Sequence, residues 1–143
     1  MDEGKFPGLK RKAKRGQIRI TEFLEKQGYK VLQLDYESPY NESTDVENWR
    51  ELPKVPDGLA KKDGEAFFFE VKTKSTLNLI VNVRNYREYI QIQLNFFPVV
   101  IYFFIEPTGA IYKHKVESRD YPTRKEWNGN IVYILDDYVE QLA

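Results

Sequence analysis

VPDGLAKKDGEAFFFEVKTKS, residues Val55–Ser75, is the stretch that decides how this chain is read. It has the form of a β-hairpin: a short strand over Asp57–Lys61, a turn at Lys62-Asp63-Gly64-Glu65, and a strand over Ala66–Lys72. Asp-Gly between apolar runs is a strong hairpin signal, because a type I′ turn needs φ > 0 at both central residues. With Asp63-Gly64 as the two-residue loop, position 57 lies opposite position 70. Directly opposed residues share a sheet face with Cβ atoms roughly 5 Å apart. Asp57 and Glu70 therefore face each other, and Lys72, two residues along, shares the face of Glu70. Phe67, Phe69 and Val71 point the other way, where a core can bury them. Two facing carboxylates repel each other unless positive charge lies between them.

Such a convergence is chemically specific. Carboxylate oxygens are ordinary hard ligands for Mg²⁺, which keeps several waters for catalysis and for substrate phosphate. A lysine beside that cation can orient or deprotonate a water, or stabilise charge on a pentavalent phosphorus. Pro56-Asp57, a twelve-residue spacer and Glu70-Val71-Lys72 resemble the PD-(D/E)XK (restriction-endonuclease-like) nuclease superfamily. The resemblance implies that Asp57 and Glu70 bind a divalent metal, Mg²⁺ or Mn²⁺, and that Lys72 positions the nucleophilic water.

The elements around the hairpin suit that resemblance. Gly16–Gln27 reads as a helix with Ile20, Phe23, Leu24 and Gln27 on one face, ended by Gly28. Tyr29–Leu34 reads as a strand, and Asp35–Pro53 as a polar loop. After the hairpin, Asn82–Asn95 reads as a helix with Val83, Tyr86, Tyr89, Ile90 and Gln93 or Leu94 inward. The apolar run Pro98–Ile105 suits a buried strand. Ala110–Val116 and Asn130–Leu135 read as further strands, and Asp136–Leu142 as a short terminal helix. The expected class is α/β, with a mixed central sheet flanked by helices. Its core order is αβββαβ plus C-terminal strands, that of the superfamily, over about residues 16–105.

The first helix sharpens the resemblance. Arg15-Gly16-Gln17, Ile20, Leu24 and Gly28-Tyr29 are similar to a pattern of Holliday-junction-resolvase-like members, in which a glutamate follows the glycine. Gln17 stands at that glutamate's place, on the inward face with Ile20 and Leu24. An amide binds metal more weakly than a carboxylate, but its oxygen can still ligate or hold a metal-bound water. With one carboxylate fewer, two-metal chemistry is in doubt. Gln17 is read either as this fourth catalytic residue or as an exposed first-turn residue. Glu22, roughly 140° further round the helix, is expected to face solvent.

Composition narrows the field. At 143 residues, 41% hydrophobic and 15% aromatic, the chain has enough apolar mass for one domain with a sizeable core. It has no cysteine, which excludes disulfides, thiolate zinc sites and cysteine nucleophiles. No apolar run reaches the roughly 18 residues of a membrane span, and the N-terminus shows no signal-type apolar core, so a cytoplasmic protein is expected. The single histidine, His114, is expected at a surface or strand edge. No Gly-rich phosphate loop or nucleophile elbow occurs.

Net charge is zero, but it is segregated. Residues 1–19 hold seven basic side chains against Asp2 and Glu3, a net of +5. Residues 35–51 hold six acidic side chains against Arg50, a net of −5. Residues 1–15 are expected to form a basic arm leading into a single domain, 16–143. Lys10, Arg11, Lys12, Lys14 and Arg15, with Lys74 beyond the hairpin strand, are the candidates for gripping nucleic-acid phosphates by counterion release. The other reading of the arm is a solvated, frayed terminus. Lys113, Lys115, Arg119, Arg124 and Lys125 make a second basic patch. The acidic loop is long for a plain connector and reads as a lid, a partner-binding segment or a solubilising loop.

Three functions follow. The first is a divalent-metal-dependent DNA endonuclease selective for DNA structure or sequence. The second is an exonuclease or RNA-cleaving enzyme on the same core. The third is a catalytically silent nucleic-acid-binding domain, against which the intact Asp57, Glu70 and Lys72 argue. No helix-turn-helix or zinc finger is visible, which favours recognition of DNA shape. One site per chain and two strands to cut predict a homodimer.

Overall fold

A computed structural model describes residues 7–34 and 55–143, with side chains from residue 11 onward. The polar loop expected over Asp35–Pro53 lies outside the described residues. Helix α1 (Pro7–Lys26) is followed by β1 (Lys30–Gln33), β2 (Gly58–Lys62), β3 (Glu65–Lys74) and β4 (Ile80–Asn82). Then come α2 (Val83–Asn95), β5 (Val99–Ile105), β6 (Ala110–Lys115), β7 (Thr123–Lys125) and β8 (Ile131–Ile134), a 3₁₀ turn (Asp136–Tyr138) and β9 (Glu140–Gln141).

The hairpin forms in the expected register. Gly58 pairs with Phe69 and Lys62 with Glu65, so Asp57 sits one step beyond the ladder, level with Glu70. The turn residues Asp63 (φ 49°) and Gly64 (φ 82°) both take the left-handed conformation that a type I′ turn demands. A six-stranded sheet runs β1-β2-β3-β5-β6-β9, in which only β3 and β5 are parallel. A second sheet, β4-β8-β7, has three strands.

Each face of the large sheet has its own core. Phe67, Phe69, Val100, Tyr102 and Phe104 pack with Ile20 and Leu24 of α1. Leu59, Phe68, Val99, Ile101 and Phe103 pack with Tyr86, Tyr89 and Ile92 of α2. All seven residues of β5 are buried, which is why the run reads as apolar without alternation. This is the mixed, helix-flanked α/β architecture expected from the element order.

Four details differ from the sequence reading. Helix α1 begins at Pro7, so most of the basic stretch expected as an arm is helical. Proline at a first helical position costs no hydrogen bond, and the residues after it favour helix. The stripe of α2 runs through Tyr86, Tyr89 and Ile92, while Leu94 is 72% exposed. Asn82 caps α2, its Oδ1 accepting from the backbone N–H groups of Arg84 and Asn85. The expected terminal helix Asp136–Leu142 is a single 3₁₀ turn followed by β9, which pairs with β6. A helix of under two turns does not recover its nucleation cost, whereas the open edge of β6 offers a ladder. The short strands β4 and β7 carry too few residues to show a period.

Candidate active site

Glycine lets α1 settle on β3. A Cβ on Gly16 would lie 1.7 Å from Thr73 Oγ1 and 3.3 Å from Val71 Cγ1, so only glycine permits this approach. The next residue, Gln17, thereby reaches the hairpin end. Its Nε2 donates to Asp57 Oδ1 at 3.0 Å. Asp57 Oδ2 accepts from the backbone N–H of Val71 at 2.8 Å, and the backbone N–H of Asp57 donates to Glu70 Oε1 at 3.2 Å. Gln17, Asp57 and Glu70 are thus drawn together from α1, the lead into β2, and β3. Gln17 is in mid-helix and half-buried, so the first-turn alternative falls away. Glu22 is exposed, as expected.

Asp57 is held well above the usual carboxylate range. Burial is the main cause, followed by the charge of Glu70; the Val71 N–H and the charge of Lys72 pull the other way. Glu70 is only 6% exposed. Its second oxygen, Oε2, accepts from the phenol of Tyr89, which is fully buried on α2. Burial first, then the Glu70 charge, keeps that phenol far above its ordinary pKa, so it remains a donor. Lys72 is half-buried on the same strand.

A carboxylate pair, Glu70 buried and Asp57 half-buried, with one nearby lysine leaves excess negative charge, and its oxygens suit a hard divalent cation that brings its own waters. Among the described residues, no group of three or more acidic or histidine side chains is placed to hold a metal. Any cation here would rest on Asp57 and Glu70, with Gln17 beside them.

Basic side chains border this centre. Lys12 Nζ donates to Ser75 Oγ at 2.5 Å. Lys74 lies below the ordinary lysine range, first through burial and then through Lys72 and Lys12, while Glu126 opposes the shift. Lys12 thus lies at the end of β3, the strand that carries Lys72 and Lys74. Arg15 is committed to Glu106, Nε at 2.5 Å and Nη2 at 2.9 Å from its carboxylate oxygens. Lys14 and Gln17 line a groove of about 360 Å³ with Thr21 and Gln33. The Lys10 side chain lies outside the described residues. The second basic patch is split: Lys113, Lys115 and Arg119 surround one concavity, while Arg124 and Lys125 lie on β7.

His114 is not at a surface or edge. It is 2% exposed, its Nδ1 lies 2.7 Å from the Tyr138 carbonyl oxygen, and its Nε2 lies 2.8 Å from the Tyr86 hydroxyl. Because β9 covers β6 and the 3₁₀ turn closes over it, the alternating strand is interior. Burial lowers the imidazole pKa. Glu70, Ile101 and His114 lie in one row across β3, β5 and β6. Tyr89 and Tyr86, one turn apart on α2, reach the two ends of that row. Sequence reasoning placed both tyrosines inward, but periodicity does not reveal which polar atom a buried phenol meets.

No protein-family model matches the chain, and no curated protein matches it significantly. Among solved structures it is similar to Hjc of Archaeoglobus fulgidus, a Holliday junction resolvase from an archaeal hyperthermophile. The TM-score is 0.60 at 17% identity, over 89% of this chain and 87% of that one. Gln17, Asp57 and Glu70, with Lys72 two residues along the strand of Glu70, thus stand together within a fold similar to that of the resolvase.

Proposed function

We propose that this chain is a divalent-metal-dependent DNA endonuclease that selects its substrate by DNA structure. The observation that carries the proposal is the meeting of Asp57 and Glu70 at the open end of the hairpin, with Lys72 one step along the same strand face. The resolvase-like fold adds support.

In this reading Asp57 and Glu70 hold Mg²⁺ or Mn²⁺. The ion, when bound, supplies Lewis-acid polarisation of the scissile phosphate and lowers the pKa of a water. Tyr89 donates to Glu70, fixing the carboxylate and leaving its other lone pairs available. The Val71 N–H and Gln17 hold Asp57 in the same way. Lys72 orients the attacking water or balances charge on the phosphate as it becomes pentavalent. Lys12 and Lys74 neutralise neighbouring phosphates. Since each chain supplies one such centre, cutting both strands of a junction calls for a homodimer.

The test is incubation with Mg²⁺ or Mn²⁺ and a panel of single-stranded, duplex, nicked, flap and four-way-junction DNA, with RNA arms alongside. Cleavage of a branched DNA by the wild type, and none by folded Asp57→Ala or Glu70→Ala, is expected. Either variant cutting at the wild-type rate sinks the assignment. Cleavage confined to free ends or to RNA replaces it with another nuclease activity.

A further inference from the structure

The second sheet carries a feature that the catalytic centre does not use. Trp127 is 98% exposed at the tip of the β7–β8 hairpin. Burying a tryptophan removes more apolar surface from water than burying almost any other side chain, so a bare one at a loop tip gives up a large stabilisation. The tip itself is well ordered by its bonds. The Gly129 N–H donates to the Glu126 carbonyl at 2.9 Å, and the Glu126 N–H to the Asn130 carbonyl at 2.7 Å. The Asn130 N–H donates to Asn128 Oδ1 at 2.9 Å, and Gly129 takes φ 88°. The base of the hairpin is anchored in the core by Val132 and Leu135, and the Leu135 N–H donates to the Leu79 carbonyl at 2.9 Å. The fold thus holds this ring out on a braced support.

The position of that support points to what the ring meets. β8 pairs with β4, and β4 follows β3 through residues 75–79. The hairpin is therefore tied to the end of the strand that carries Glu70, Lys72 and Lys74. Glu126, adjacent to Trp127, acts electrostatically on Lys74. Arg124 and Lys125 precede the tip, Arg124 being paired with Glu126 at 3.1 Å. Ile131, 51% exposed, lies just beyond it. Lys125 stands two residues before the ring, and Lys74 lies within reach of the Glu126 charge; an aromatic face with cations near it is the usual construction of a platform for unstacked bases. Continuous duplex hides its base faces; a junction, flap or single strand offers them.

We propose that Trp127 stacks on an unpaired or unstacked base of nucleic acid held at the Asp57–Glu70 centre, and so contributes to selection of branched over continuous DNA. The inference rests on the nuclease reading above and adds to it the residue that senses a strand discontinuity. The side chain makes no core contact, so replacing it leaves the fold intact.

The experiment uses Trp49→Phe protein, in which Trp127 is the only remaining tryptophan. Its fluorescence is followed while junction, flap, single-stranded or continuous duplex DNA is added in Ca²⁺, with binding measured separately by anisotropy of labelled DNA. Emission should be quenched by DNA with unpaired or branch-point bases, and less by duplex. Trp127→Ala should weaken binding of branched and single-stranded DNA about tenfold, the scale of one stacked base, with duplex binding within about twofold. Trp127→Phe should stay within about threefold of wild type, because a ring remains. Bound branched DNA with unaltered Trp127 emission, or equal affinities in Trp127→Ala, overturns the inference while leaving the nuclease reading in place. Conversion of a dimer to monomer by Trp127→Ala also overturns it, assigning the tip to an interface between copies. Failure of every variant to bind or cut any nucleic acid removes both readings together.

Discussion

Asp57→Asn isolates the charge at the centre of the site. Asparagine keeps the shape of aspartate. Its oxygen can still accept from the Val71 N–H, and its amide can donate to Gln17 once the Gln17 amide turns over. What is lost is the half-buried charge that faces the buried Glu70. Two unit charges about 5 Å apart, the Cβ spacing of directly opposed residues, repel by about 3 kcal/mol at an effective dielectric constant of about 20. Lys72 offsets part of this, leaving a net gain of roughly 1–2 kcal/mol, or about 3–6 °C in Tm for a chain of this size. The pH dependence has a definite sign. Asp57 has a raised pKa in the folded protein, so its contribution to stability is greatest at low pH and is lost as pH rises through the folded value. The advantage of Asp57→Asn should therefore be absent in acid and grow toward neutral pH. Divalent metal should reverse the order: the wild type gains about 2.7 kcal/mol at a metal concentration one hundred times Kd, and the variant gains little. Thermal melts in EDTA and in Mn²⁺ between pH 5 and 8 make the comparison. A variant that melts below the wild type in EDTA at neutral pH refutes the charge-repulsion argument.

Tyr89→Phe removes the donor to Glu70 and should cost about 1–3 kcal/mol in chemical denaturation. It should also weaken Mn²⁺ binding by about tenfold in a calorimetric titration, and unchanged affinity would make Tyr89 a packing residue only. Gln17→Ala should slow single-turnover cleavage by about one to two orders of magnitude, whereas Gln17→Glu, adding a third carboxylate, should tighten Mn²⁺ binding; equal behaviour of both with wild type removes Gln17 from the site. Lys72→Ala should reduce the single-turnover rate while leaving DNA affinity in Ca²⁺ nearly intact, and normal cutting would reduce the segment to a strand. Gly16→Ala should destabilise by about 1–3 kcal/mol through overlap with Thr73, less the gain of up to about 1 kcal/mol in helix propensity. Adding Thr73→Ala should recover most of the loss, because the buried Thr73 hydroxyl has no hydrogen-bond partner to forfeit.

The legible parts of this chain were those governed by local rules. Asp63-Gly64 set the hairpin register, and with it the pairing of Asp57 with Glu70, because a two-residue turn leaves no slack. The uniform apolarity of β5 announced burial on both faces. Gln17 was legible as an inward residue through its spacing to Ile20 and Leu24. What escaped depends on contacts between distant segments. The burial of His114 follows from β9 and the Tyr138 carbonyl, both far along the chain. The tie between Arg15 and Glu106 joins residues 91 positions apart, with no local pattern to announce it. Tyr89 carried the right periodicity but no sign that Glu70 would be its partner. β4 and β7 are three residues each, too short for alternation to register.

The spacing of Tyr86 and Tyr89 has a consequence for how this protein can vary. One inserted or deleted residue between them would rotate one phenol about 100° relative to the other. The helix could then keep its bond to Glu70 or its bond to His114, but not both. Substitutions on the outer surface of α2, at Arg84, Arg87 or Gln91, leave both bonds in place. Length changes within that turn would separate Glu70 from the network on the far strand, so this single helical turn should be fixed in length wherever both bonds are retained.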